Sequence, residues 1–163
     1  MTRRDVIDDL LEQWSWAPYD LPLVPLAIAK RIALLAHRLN QLAAEALTPY
    51  GLDRGEFDVL ITLLRSGPDR EMPPTALSGT LLISSSGLTK RLSGLENRGL
   101  VTRRLDPADR RSLLVALTPE GQRLAEEAAT VHTGAIERLV SDLTDADRER
   151  LAGLLRDLVL GPG

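Results

Sequence analysis

The spacing of apolar residues changes from helical to strand-like in one segment of this chain and then returns to helical, and this pattern indicates the fold class. From Ser84 to Arg98 the leucines recur at helical intervals, and Gly99 follows as a C-terminal cap. From Leu100 to Thr118 the spacing is strand-like instead, around a turn-forming Asp-Pro-Ala-Asp tetrad. Thr118-Pro119-Glu120 then has the composition of a helix start. We therefore predict a mainly α-helical fold with one β-hairpin.

The remaining helices are bounded by ordinary start and stop signals. Apolar residues at intervals of three and four, together with proline and glycine breaks, predict the following helices. They cover residues 4–16, 25–47, 54–65, 74–81 and 84–98, one that starts at Pro119, and a last one that Thr144 caps.

Composition excludes several classes of protein. The chain has 163 residues and no cysteine, which rules out disulfides, thiolate metal sites and cysteine nucleophiles. The uncharged stretch Leu21–Ala29 carries two prolines and is too short to span a bilayer, and the first residues of the chain do not resemble a signal peptide. We expect a cytoplasmic protein that does not contact a membrane.

The distribution of charge points to a polyanionic partner. The whole chain carries a net charge of −3, but residues 83–112 contain seven basic and three acidic side chains, a net charge of +4. A basic block in an acidic chain is typical of a face that binds nucleic acid. A solvated charged surface is the alternative.

The central elements form a helix-turn-helix followed by a wing, an arrangement whose second helix lies in the major groove of DNA. On that second helix, Leu88, Leu92 and Leu95 form one side. Side chains that can bind phosphates and base edges share the opposite side, its flank and the helix start. They are Ser84, Ser85, Ser86, Thr89, Lys90, Ser93 and Asn97. The three serines have a plainer interpretation as caps.

The hairpin tip carries two adjacent arginines, Arg110 and Arg111. Arginine enters narrow minor grooves, so we predict that this tip binds DNA as well. The alternative is a solvated charged turn.

These segments resemble the MarR family of bacterial transcription regulators. The resemblance lies in Ile83–Leu92, Leu95–Val101, Asp106–Ser112 and Leu117–Gly121, and it extends over about residues 24–160. It implies a ligand-responsive homodimeric regulator, expected to be a repressor, that binds a pseudo-palindromic operator in double-stranded DNA. Thr75, at the start of the first helix of the pair, joins the predicted DNA contacts. Pro73 departs from the threonine cap that the family often has there.

The resemblance also divides the chain. Residues 1–22 form an N-terminal extension helix, 23–52 and 119–163 form a helical dimerisation lobe, and 53–118 form the winged helix-turn-helix lobe. Broad apolar faces on the terminal helices favour a two-fold dimer independently of the family. An intramolecular three-helix bundle is the alternative.

The extension is similar to that of the urate-responsive branch of the family, which implies an anion site formed by Trp14, Asp58, Arg91 and Arg103. Two arginines near one aspartate would repel each other without a counter-anion. We expect a urate-like or small carboxylate effector. The alternative is an internal ion pair between Asp58 and Arg91, with Trp14 as a core residue.

No other chemistry is indicated. His37 and His132 lie in different predicted helices, so we expect no metal, and no catalytic motif or cofactor signature appears. We therefore predict a protein that is not an enzyme and has no cofactor. Two rival interpretations are a helical module that binds another protein and an enzyme with a pocket at the lobe junction.

Overall fold

The computed structural model describes residues 4–14, 16, 20–107, 109 and 112–161. The chain divides into two compact units, Met1–Leu42 and Ala43–Gly163. The helices are α1 (Val6–Trp14), α2 (Leu23–Leu47), α3 (Arg54–Leu64), α4 (Pro74–Leu81), α5 (Ser85–Asn97), α6 (Pro119–Leu139) and α7 (Asp145–Leu160). The strands are β1 (Glu71–Met72), β2 (Val101–Leu105) and β3 (Leu113–Leu117). The prediction of a mainly helical fold with a hairpin is confirmed.

The first unit contains α1 and most of α2. Asp5 accepts hydrogen bonds from the Ile7 and Asp8 amides at the start of α1. Arg31 on α2 binds the Asp5 and Asp8 carboxylates at 2.9 and 2.6 Å. These hydrogen bonds from the Arg31 guanidinium lower the pKa of Asp5. The ion pairs link the segment before α1 to α2.

The second unit is built around α3, which contacts α4, α5, α6 and the sheet. The largest of its fully buried side chains come from α2, α3, α4, α5 and β3. They are Leu47, Val59, Leu60, Leu63, Leu77, Leu95 and Val115. Burial of a leucine or valine side chain stabilises a fold by about 1.5–3 kcal/mol, so this cluster fixes the helix-turn-helix against α3 and α6.

The sheet has the strand order β1-β3-β2 and is antiparallel throughout. The hairpin strands β2 and β3 form where the sequence predicts them, with Val101 opposite Leu117 and Leu105 opposite Leu113. The sequence analysis missed β1, whose Glu71 and Met72 pair with Ala116 and Val115. The hairpin is therefore joined by a third strand that precedes α4.

A single threonine joins α5, the hairpin and α6. Thr118 caps α6 by accepting a hydrogen bond from the Gly121 amide, and its hydroxyl lies 2.7 Å from the Gly99 carbonyl oxygen. A Cβ at Gly121 would lie only 1.8 Å from the Leu100 carbonyl oxygen. We call Gly99, Leu100, Thr118 and Gly121 the Thr118 junction.

The described residues contain no helix with both the length and the apolarity that crossing a membrane requires.

Candidate nucleic-acid interface

Helices α4 and α5 are joined by a tight turn. Leu82 ends α4 in the left-handed region, with a φ of 53°, and its side chain is 91% exposed. The Ile83 amide then returns to the Ser78 carbonyl, which closes the end of α4. Ser84 caps α5 by accepting a hydrogen bond from the Gly87 amide. These contacts produce the helix-turn-helix that the sequence predicts.

Helix α5 separates its apolar and polar side chains. Leu88, Leu92 and Leu95 are buried, with exposures of 3% or less. All the predicted DNA contacts on or beside α4 and α5 are exposed. They are Thr75, Ser84, Ser85, Ser86, Thr89, Lys90 and Ser93. Ser84 has a structural role as the cap of α5 in addition to its position at the surface.

The wing covers one side of α5. Arg103, on β2, donates a hydrogen bond from Nη2 to the Ser93 hydroxyl at 3.0 Å, and its Nε lies 3.3 Å from a carboxylate oxygen of Glu96. A cavity of about 190 Å³ lies on the same side of the helix, lined by residues of α4, α5 and the wing. Thr75, Thr89, Arg103 and Leu113 are among them.

The opposite side of α5 faces the start of α3. Gly55 has no side chain there, and the Arg91 guanidinium fills the space: a Cβ at Gly55 would lie 2.2 Å from the Arg91 Nε. Arg91 and Asp58 both line a cavity of about 50 Å³. A larger one, of about 380 Å³, lies between Lys90 and Arg91 on α5 and the residues Asp53, which caps α3, and Glu56.

The structure places the four predicted effector residues as follows. The Asp58 carboxylate lies 3.2 Å from Arg54, and the described residues contain no ion pair between Asp58 and Arg91. The internal pair that the sequence left open is therefore replaced by a pair within α3. Arg103 lies on the other side of α5 from Arg91, and Trp14, in the first unit, has its ring 5.8 Å from the Lys30 ammonium. The four-residue anion site stays a prediction.

Fewer basic side chains are available to bind DNA than the charge count of residues 83–112 indicates. Arg98 binds Glu56 and the carbonyls of Tyr50 and Gly51. Arg104 binds Glu71, and Arg103 is paired with Glu96. The sequence does not reveal these partners because they come from other elements. Lys90 and Arg91 form no ion pair among the described residues, and Arg110 and Arg111 lie outside the described part of the chain.

His132 on α6 lies against α3. Its ring centroid is 4.8 Å from that of Phe57, at an interplanar angle of 42°. Burial lowers the pKa of His132, the Arg54 charge lowers it further, and the Asp58 charge raises it. The imidazole is therefore held towards its neutral form.

The comparisons with known proteins identify the family. The family model described as "MarR family" matches residues 50–112, from just after α2 to the residue before β3. The regulator YwoH of Bacillus subtilis is 32% identical over 75% of this chain and 91% of its own length. The regulator PecS of Dickeya dadantii is 28% identical over 95% of this chain and 93% of its own length.

This chain belongs to the MarR family. It is similar to a mutant of Escherichia coli MarR complexed with operator DNA, with 25% identity, a TM-score of 0.71 and coverage of 85% of this chain and 97% of that one. It is also similar to CouR of Rhodococcus jostii bound to p-coumaroyl-CoA, with 26% identity, a TM-score of 0.71 and coverage of 83% and 94%. Among the relatives, PecS is named a transcriptional regulator, and YetL of Bacillus subtilis and MprA of Escherichia coli are named transcriptional repressors; none of the three is named an enzyme.

Proposed function

We propose that this protein is a homodimeric repressor that occupies a pseudo-palindromic operator in the bacterial cytoplasm and is released by a small anionic or aromatic effector. The observation that carries the proposal is the division of α5. Its leucines are buried, while its hydroxyl and ammonium side chains are exposed along one side. A helix with this division suits the major groove, where such side chains bind phosphates and base edges.

The proposed DNA contacts extend beyond α5. Thr75 and the serines at the start of α5 suit phosphates, because the free amides of a helix N-terminus and its dipole favour anions. Lys90, Thr89 and Ser93 suit the groove itself. Arg110 and Arg111 are proposed to bind the adjacent minor groove from the wing tip.

Dimerisation through the terminal helices is supported by their exposed apolar faces. In the first unit, α2 leaves Ile28, Ile32 and Leu35 exposed. In the second unit, α7 leaves a row of leucines exposed, which are Leu151, Leu154, Leu155 and Leu158. Large exposed apolar faces mark interaction surfaces. We propose the dimerisation lobe as 23–52 and 119–163, beside the winged lobe 53–118 and the extension 1–22.

We propose that the effector carries a negative charge. Arg91 supports this, since it forms no ion pair among the described residues and lines cavities on the α3 side of α5. CouR, a relative, is bound to p-coumaroyl-CoA. We retain Trp14, Asp58 and Arg103 as the other proposed ligand residues, with urate and small carboxylates as the first compounds to test.

The test measures binding to the DNA upstream of the protein's own gene across a range of salt concentrations. We expect affinity to fall steeply with salt, since phosphate contacts release counterions. A protein-binding module would show no such binding. Adding urate or citrate should weaken the complex about 5–150-fold, and DNA should weaken ligand binding by the same factor. The effect should disappear in the Arg91→Ala and Arg103→Ala variants.

A further inference from the structure

Arg103 joins the wing to α5 through two partners. It stands opposite Val115 in the hairpin, and cross-strand partners share a face of a sheet. Because Val115 is fully buried, the Arg103 side chain leaves the wing on its core-facing side, towards α5. There it meets the Ser93 hydroxyl at 3.0 Å and the Glu96 carboxylate at 3.3 Å.

We propose that Arg103 is a positioning residue that sets the wing against α5, and that Glu96 and Ser93 are its anchors on the helix. The proposal rests on the function proposed above and adds a role within it. Arg103 acts on DNA through the orientation of the wing and of the Ser93 hydroxyl, rather than by touching phosphate.

The surroundings of the guanidinium support this role. The Arg103 side chain is 27% exposed, and its Nε is buried without a hydrogen bond among the described residues. A buried cationic group is stable only where a counter-charge lies close, and Glu96 supplies it. Because the Ser93 oxygen accepts from Arg103, the Ser93 hydroxyl proton can still be donated to another acceptor, such as a group on DNA.

Glu96 makes the proposal sharply testable. A carboxylate on a helix that binds DNA is repelled by phosphates, so its removal would tighten binding if it were only a surface acid. If it anchors the wing, its removal weakens binding instead. The two interpretations predict effects of opposite sign.

The chain offers a matched control on the same strand. Arg104 follows Arg103 directly and binds Glu71 of β1, with its Nε 3.1 Å from the carboxylate. It is also an arginine of β2 in an ion pair, but its partner is on the sheet and not on α5. Arg104→Gln therefore removes the same charge from the wing without releasing α5.

The experiment compares Arg103→Gln, Glu96→Gln, the double variant and Arg104→Gln in the full chain. Operator affinity is measured against salt concentration, and amide hydrogen exchange of β2 and β3 is measured without DNA. We expect Arg103→Gln and Glu96→Gln each to bind about fivefold more weakly with an unchanged salt slope, as loss of one hydrogen bond implies. The double variant Arg103→Gln, Glu96→Gln should bind as weakly as either of these single variants, because each single substitution already removes the same interaction. The wing strands should exchange faster, and Arg104→Gln should bind within about twofold of wild type.

Three results would overturn the proposal. Tighter binding by Glu96→Gln would mean that the acid only repels DNA. A salt slope lowered by about one in Arg103→Gln would make Arg103 a phosphate contact. Unchanged exchange in the wing would mean that no anchor exists. If the wild type binds no DNA while wing exchange still rises in Arg103→Gln, the repressor function fails and the anchoring contact stands.

Discussion

At the residue scale, the exposed side of α5 carries one ammonium group among hydroxyls and an amide. Lys90 lies between Ser86 and Ser93 at helical spacing, and it forms no ion pair with any described residue. An ammonium group without an acidic partner among the described residues can bind a phosphate or the hydrogen-bond acceptors on a base edge. Lys90 is therefore the side chain whose removal should affect DNA binding most directly.

Lys90→Ala should weaken operator binding by about 1–3 kcal/mol, the discrimination that a well-placed base contact supplies. Because Lys90 is exposed, circular dichroism should show unchanged helical content. Fluorescence anisotropy with a labelled duplex measures the affinity. Arg156→Ala, which removes a cation from α7, is the control and should bind as the wild type does. Equal operator affinities for Lys90→Ala and Arg156→Ala would contradict the proposal that α5 binds in the major groove.

His132 makes stability depend on pH. Its folded pKa lies below that of a free histidine, so the unfolded chain takes up the proton first as pH falls. The contribution of neutral His132 is complete above about pH 6.5 and is lost as pH falls through the lower folded pKa. Urea denaturation at about pH 7.5 and 5.5 should show a decline that His132→Gln reduces. His37→Gln should keep the whole decline, and an equal reduction in both variants would contradict the assignment.

At the element scale, the turn between α4 and α5 contains a strained leucine. Leu82 adopts a left-handed conformation, which costs an L-residue about 1–2 kcal/mol, and its exposed side chain recovers little of that cost. Leu82→Gly should raise the free energy of unfolding by about 0.5–1 kcal/mol, while the β-branched Leu82→Val should lower it. Denaturant midpoints measure both. A valine variant as stable as the glycine variant would show that the turn is unstrained.

The Thr118 junction requires glycine at the start of α6. An added Cβ at Gly121 overlaps the Leu100 carbonyl oxygen, so Gly121→Ala should destabilise the fold by about 1–3 kcal/mol. Gly79 in α4 has open space around the same position, and Gly79→Ala should stabilise by up to about 1 kcal/mol. Thermal unfolding measured on both variants tests this difference in sign. Equal shifts in the two variants would mean that α6 moves away from Leu100 freely.

The elements bounded by clear local signals were predictable from the sequence. Pro74 and the Ser84 cap delimit α4 and α5, and the Asp-Pro-Ala-Asp tetrad of the sequence separates the stretches that form β2 and β3. Strand β1 was missed because two residues are too few to show the alternation of apolar and polar side chains that marks a strand. It forms because it pairs with Val115 and Ala116. The ion-pair partners of these side chains could not be predicted from the sequence either. Nothing in the local sequence links Arg103 to Glu96, or Asp58 to Arg54 rather than Arg91.

At the scale of the whole molecule, the exposed leucines of α7 test the proposed dimer. Leu154 is 55% exposed in the single chain, so Leu154→Glu should change the stability of the monomer little. It should destabilise a dimer in which this face is buried between two copies. Sedimentation should then show monomers that bind the operator poorly. Arg156→Glu, on the polar side of α7, should stay dimeric. A dimer that survives Leu154→Glu would exclude this face of α7 from the interface.

A dimer also fixes the form of its operator. Two copies of α5 related by a two-fold axis should bind half-sites roughly 10 base pairs apart, with protection on one face of the duplex. Hydroxyl-radical footprinting on a palindromic duplex measures the spacing. Tight binding of a single half-site by a monomer would contradict it.

The Thr118 junction has a consequence for how operators evolve. Because the Thr118 hydroxyl links Gly99, after the end of α5, to the start of α6, and Gly121 packs closely on Leu100, we expect the end of α5, the base of the wing and the start of α6 to move together. One inserted base pair between half-sites turns one of them by roughly 35° and moves it by about 3.4 Å, and a helix held at its end cannot follow. We therefore expect the operators of the proposed dimer to vary more in their bases than in their spacing. A genome search for target promoters should therefore hold the spacing constant and let the bases vary.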